Sequence, residues 1–234
     1  VNDKPAETGG NGEKGRGSST TTSRGGGGTT TTTSPPVAPP VEALPRGPSQ
    51  ADANQLRNRV ALSGNLAYLD EESSFRINLD DAQFSEWRWT YNVGEGERSL
   101  GSRDIRHNFR SLGTKEIRLR ARASNGVEFE TTHNVLVTVS KQRLNSIISG
   151  LVTMAKTAEA ANNWRPVDDE LGRLKNYLAS NVSFSIPGES GGQSFGDFRD
   201  ILIADIPYED RFSGVSEYKY DPSTGLVTYI KLIR

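Results

Sequence analysis

The chain has 234 residues, 33% of them hydrophobic, with 24 Gly and 11 Pro, which is material for one or two small cores and a long segment without one. Its 28 basic and 29 acidic side chains nearly cancel, which removes a bulk field for nucleic acid or an anionic membrane. A Cys count of 0 excludes disulfides, zinc–thiolate centres and thiol catalysis, and the sequence contains no run of about 18 apolar residues that would span a bilayer.

Residues 1–54 are dominated by Gly, Ser, Thr and Pro, including Gly25 to Gly28, Thr29 to Thr33, Pro35-Pro36 and Pro39-Pro40. So little apolar surface does not offset the entropy of ordering the backbone, and the segment is expected to be a disordered tether that stiffens toward polyproline near Pro35 to Pro48. An arm of this kind is common in bacterial surface lipoproteins, so a lipid anchor or a removed signal peptide upstream of Val1 is expected. An ordinary interdomain linker is the alternative.

Residues 55–140 read as an all-β sandwich. Leu62 to Leu69 and Ser74 to Leu79 are expected strands around the acidic turn Asp70-Glu71-Glu72, with Phe75, Ile77 and Leu79 on one face. In Trp87 to Val93 the residues Trp87, Trp89, Tyr91 and Val93 share a face while Arg88, Thr90 and Asn92 point away. Burying two Trp and a Tyr would contribute several kcal/mol at about 25 cal/mol per Å², which makes this a central strand. Ile117 to Ala123 and Val135 to Val139 follow, with a turn at Asn125-Gly126 between them. A three-residue loop Ser124-Asn125-Gly126, with Gly126 left-handed, pairs Ala123 with Val127 and Ala121 with Phe129. It also sets Arg122 against Glu128 and Arg120 against Glu130. A two-residue turn would mix core and solvent faces, so the first register is predicted.

Tyr91-Asn92-Val93-Gly94-Glu95-Gly96, then His107 and Phe109, then Gly113 followed by Ile117, Leu119 and Ala121, together resemble a PKD domain over residues 60–140. The resemblance implies an immunoglobulin-like sandwich of the kind found in cell-surface proteins, which mostly bind or space and seldom catalyse. In the family's turn, Asp stands where this chain has Asn92 and Glu95, so a metal role for that turn is not carried over.

Residues 141–234 read as a smaller α+β domain. Leu144, Ile147, Ile148, Leu151, Met154, Ala155 and Ala158 recur at helical spacing up to Asn162-Asn163. A second helix begins at Pro166, with Asp168, Asp169 and Glu170 at its positive end and Leu171, Leu174, Tyr177 and Leu178 on its buried face. A strand at Val182 to Ile186, a Gly-rich connection from Pro187 to Gln193 and a short helix capped by Ser194 and Asp197 come next. A hairpin of Phe212 to Tyr220 and Leu226 to Ile233 closes the chain. This order is faintly similar to the opening of the nuclear-transport-factor-two-like cone fold.

Chemical motifs are sparse. Gly188-Glu189-Ser190-Gly191-Gly192 lacks the Lys-Ser/Thr pair of a phosphate loop, and the only histidines, His107 and His133, stand at no ligand spacing. No catalytic, metal or cofactor residue is predicted. The candidate interaction surface is a basic stripe, Arg103, Arg106, Arg110, Arg118, Arg120 and Arg122, suited to an anionic glycan or an acidic partner. The expected role is a non-enzymatic, extracytoplasmic interaction module on a tether, with protein partners in an outer-membrane or secretion assembly and no nucleic acid. A carbohydrate-binding accessory module of a secreted hydrolase is the second reading. A third places a small-ligand pocket near Trp164, Tyr177, Phe184, Tyr218 and Tyr220.

Overall fold

The computed structural model describes residues 48–234. Its first element is a helix, α1 (Gln50–Arg57), where the tether was expected to run on to residue 54. The helix starts at Ser49, whose hydroxyl accepts from the Asp52 amide while the Asp52 carboxylate accepts from the Ser49 amide. Such a reciprocal cap satisfies two amides that the first turn leaves without partners. Ala53 and Leu56 then bury one face of α1 in the sandwich core. Residues 1–47 of the expected arm lie outside the described residues.

The expected strand at Leu62 to Leu69 is in fact two. β1 (Ala61–Leu62) pairs antiparallel with β3 (Glu72–Asn78), and after Ser63-Gly64-Asn65 the chain crosses to the opposite sheet as β2 (Leu66–Tyr68). A short helix α2 (Asp81–Ser85) leads into β4 (Trp87–Asn92), followed by β5 (Glu97–Ser99), β6 (Asp104–Asn108), β7 (Gly113–Ala123) and β8 (Glu128–Thr138). The sheets run β1-β3-β6 and β2-β8-β7-β4-β5, with β2 parallel to β8. Inward side chains of both sheets, among them Phe75, Ile77, Ile105, Trp87, Trp89, Leu119, Phe129 and Val135, form one core. Trp87 and Trp89 each meet Phe129 edge to face, at 5.1 and 5.6 Å between ring centroids. The Tyr91 hydroxyl donates across the sandwich to the Arg106 carbonyl at 3.0 Å. β4 is interior as expected, and the β7–β8 hairpin has the predicted register: Ala123 N donates to Val127 O, Ala121 pairs with Phe129, and Gly126 has φ 86°.

The remaining chain is α3 (Lys141–Ala161), α4 (Arg165–Lys175), β9 (Leu178–Ser185), α5 (Phe195–Ala204), β10 (Gly214–Tyr220) and β11 (Val227–Ile233), with the three strands ordered β10-β11-β9. α3 ends where Asn162 turns left-handed, and α5 begins with the Ser194–Asp197 reciprocal cap. β9 starts four residues earlier than expected and lies parallel to β11. A second core gathers Leu144, Ile148, Leu151, Phe184, Phe198 and Ile230. Among the described residues no helix is long and apolar enough to cross a membrane.

Contacts group the whole described span in one unit, and named groups join its two cores. Thr138 donates to the Gly225 carbonyl at 2.7 Å. Gly225 has φ +70°, and a Cβ there would sit 2.1 Å from the Val137 carbonyl oxygen, so only Gly lets these backbones meet. Asp70 accepts from Arg110 at 3.1 Å and pairs with Arg143 at 3.3 Å, and Arg143 also donates to the Tyr177 hydroxyl.

Candidate functional site

Alternation along three strands builds the outer face of the five-stranded sheet. In β7 the buried Ile117, Leu119, Ala121 and Ala123 leave Arg118, Arg120 and Arg122 outside. In β4 the buried Trp87, Trp89 and Tyr91 leave Arg88, Thr90 and Asn92 on the same side, and β5 adds Glu97 and Ser99 opposite Asn92 and Thr90. The next strand contributes Glu128.

The charges on this face form a chain. Glu97 approaches Arg120 at 3.7 Å, and Glu128 is shared by Arg120 at 3.5 Å and Arg122 at 3.3 Å. Arg118 is held by Glu116. Glu130 stands opposite Arg120 as predicted, but the Arg120 guanidinium turns to Glu97 and Glu128 instead. Arg88 pairs directly across the strands with Arg122, and among the described residues its guanidinium has no ion-pair or hydrogen-bond partner. Like charges directly opposite one another destabilise a sheet.

Beside Arg88 lies a groove of about 470 Å³ lined by Phe84, Arg88, Thr90, Glu97, Arg120 and Glu128, among others. A second hollow of about 540 Å³ shares Trp87, Arg88 and Arg122 with it and adds Glu86 and Ser124. The Thr90 Oγ1 and the Trp89 Nε1 are buried without a partner in the protein. In register, Thr90 sits between Arg120 and Ser99, beneath the Arg120–Glu97 pair. The aromatic rings here are engaged by one another: Phe84 stacks on Trp89 at 5.5 Å, and the Arg103 guanidinium stands 5.3 Å from the Phe84 centroid.

The six arginines of the predicted stripe therefore fall into two groups. Arg118, Arg120 and Arg122 share the face just described. Arg106 lies between the inward Ile105 and His107, so it points out from the three-stranded sheet, 3.9 Å from Glu72. Arg110 is held by Asp70, and Arg103 donates to the Leu79 carbonyl at 3.4 Å. Arg88, which the stripe omitted, completes the outer face through the β4–β7 register, a pairing between segments more than thirty residues apart in sequence.

His107 is buried beside Phe109, with Nε2 3.9 Å from Glu95. Burial holds its imidazole pKa below the ordinary value, against the attraction of Glu95 and helped by Arg98 and Arg110. Burial alone lowers that of His133. Near the proposed small-ligand position, Phe184 is fully buried and stacked on Phe198, while Trp164, Tyr177 and Tyr218 pack against the same core. Burial, with Tyr68, Tyr220 and Glu71 nearby, pushes the Tyr218 phenol up to about 12. The Gly188 to Gly192 connection is pinned by Arg211, which bridges Glu189 and Asp205 at 2.6 Å each. Among the described residues no group of three or more His, Cys, Asp and Glu could hold a metal ion.

No family model and no curated protein matches this chain. Solved structures resemble parts of it. One, described as the structural basis for the promiscuous specificity of carbohydrate-binding modules from the β-sandwich superfamily, is 18% identical with a TM-score of 0.29, covering 35% of this chain and 34% of its own. The PKD domain of an M14-like peptidase from Thermoplasmatales archaeon SCGC AB-540-F20 is 16% identical with a TM-score of 0.28, over 33% of this chain and 89% of its own. The fibronectin(III)-like modules of Clostridium thermocellum CbhA are 14% identical with a TM-score of 0.27, over 35% and 98%. Likenesses this partial transfer neither ligand nor activity.

Proposed function

We propose that this chain is a non-catalytic binding protein of the cell envelope or cell surface, whose sandwich presents the outer face of the five-stranded sheet to a partner. In this reading residues 1–54 include a tether, residues 55–140 carry the contact, and residues 141–234 form a second unit that braces it. The observation that supports it is the exposed Arg88, opposed by Arg122 and left without a counter-charge beside an open groove. Folding gains nothing from that arrangement, and a local conflict without a structural return is the usual mark of a site kept for contact.

The test is site-specific crosslinking of the full chain in its native envelope. A photoreactive side chain placed at Ser99 or Ser124, at the two hollows, is expected to give adducts. One placed at Ser180, exposed on β9, is expected to give none. Adducts confined to Ser180 would overturn the reading.

A further inference from the structure

We infer that the groove at Arg88 and Arg122 binds an acidic polysaccharide, with an acid group of the ligand taking the place of the counter-charge that Arg88 lacks. The inference rests on the binding role proposed above and adds the chemistry of the ligand.

Three features of the groove define that chemistry. Arg88 and Arg122 stand opposite one another on adjacent strands, and while Glu128 reaches Arg122 at 3.3 Å no carboxylate among the described residues reaches Arg88, so an arriving anion meets an unmatched guanidinium with several N–H donors. The same groove holds Glu97 and Glu128, and the adjoining hollow holds Glu86, so a ligand that is acidic throughout would be repelled over most of its length. A chain with well-spaced acid groups and hydroxyls between them meets both demands. Its hydroxyls donate to the carboxylates and accept from Arg120, in a groove that Thr90 and Ser99 also line.

Two alternatives fit less well. An acidic peptide would be read through its backbone along a strand edge, as in strand addition. The edge of β4 is already paired with β5 at Thr90 to Asn92, and the Trp89 carbonyl accepts from Leu100 N at 3.0 Å. A neutral glycan would be held mainly by stacking on aromatic rings, but Trp89 is 3% exposed and Phe84 is stacked on it beneath Arg103.

The experiment measures retention of the full chain on gels carrying hyaluronate, whose carboxylates stand on alternate sugars, a sparsely sulfated dextran, unmodified dextran or polyglutamate. Retention is expected on hyaluronate or the sparsely sulfated dextran, and the better of the two identifies the acid group. It should fall as salt rises past about 0.1 M, where the screening length is about 10 Å. Arg88→Gln and Arg122→Gln should each weaken it about tenfold or more, as loss of a charge-assisted pair would. Arg106→Gln, on the other sheet, should leave it unchanged. Arg88→Lys, which keeps the charge but loses the planar fork, should fall between and covers the case of a Gln variant that folds poorly. Equal retention on unmodified dextran or on polyglutamate, no retention at low salt, or indifference to both Arg88 substitutions would overturn the inference. Groove crosslinks with no polyanion retention would remove the polysaccharide and leave the binding role standing, whereas loss of the crosslinks would remove both.

Discussion

Between residues 83 and 133 the sandwich buries six side-chain polar atoms with no partner in the protein, on Gln83, Trp89, Thr90, His107, Asn108 and His133. Among the described residues the C-terminal unit buries none, and its core is Leu, Ile, Val, Ala and Phe closed over by α3, α4 and α5. A buried polar group is normally completed by protein, solvent or ligand. The sandwich thus turns polar side chains inward among its apolar ones, while the C-terminal unit closes an apolar core. Both histidines and the uncompensated Arg88 also belong to the sandwich. In the proposed reading the first half carries the contact and the second braces it.

The comparison can be broken most forcefully at the cores. Trp89→Ala and Phe198→Ala each remove a buried ring, at a cost of about 3–5 kcal/mol. Because named contacts join the two cores, each variant should lower a single denaturant transition seen by both Trp fluorescence and helical circular dichroism. Two separated transitions would show that the halves fold independently. Gly225→Ala attacks the joint itself, where the new Cβ would meet the Val137 carbonyl oxygen. A cost of about 1–3 kcal/mol is expected from the crowding alone. The single transition should then split, and calorimetry would read the splitting directly.

Acidity should separate the halves more gently. His107 and His133 have folded-state pKa values below the ordinary 6.5, so between those values and 6.5 the unfolded chain takes up protons that the folded chain refuses. Their contribution is whole above about pH 6.5 and declines as pH falls through that window. It stops declining once both states are protonated. Asp52, Asp197 and Asp221, held below 3.8 chiefly by hydrogen bonds from Ser49, Ser194 and Ser223, add a further loss only in stronger acid. Melting at pH 7.5 and 5.5 should show a drop that the double variant His107→Gln, His133→Gln largely removes. A drop of the same size in that variant would place the sensitivity elsewhere.

The smallest effect sharpens the comparison most. Arg88→Glu would replace a like-charged cross-strand pair with an opposite one, and should raise stability by about 0.2–1 kcal/mol while abolishing retention by a polyanion. A denaturant midpoint that moves down would mean that Arg88 has a structural role after all.

Local signals in the sequence were sufficient for several elements that neighbours in the chain decide, though not for the end of α4, which stops at Lys175 so that Leu178, expected on its buried face, opens β9 instead. The alternation of Trp87 to Tyr91, the register around Asn125-Gly126 and the Ser194–Asp197 cap each depend on residues within one element or one turn. The Ser49–Asp52 cap has the same spacing as Ser194–Asp197, but it lies in a stretch whose Gly, Ser, Thr and Pro composition reads as arm. The division of Leu62 to Leu69 between two sheets depends on which distant strands accept each half, and its apolar pattern does not record that choice. The same holds for the site. Alternation along the strand turns Arg88 away from the core, but that it faces Arg122 is a property of strand pairing across the sheet.

The chain enters the described structure at Pro48, whose carbonyl accepts from Asn125 at the tip of the β7–β8 hairpin, while Gly225 rests against Gly113 and Val137 at the hairpin's other end. Those 11-residue strands span roughly 35 Å at about 3.4 Å per residue. Tension applied between the entry and the C-terminal unit would run lengthwise along this hairpin and load its rungs in shear, all at once.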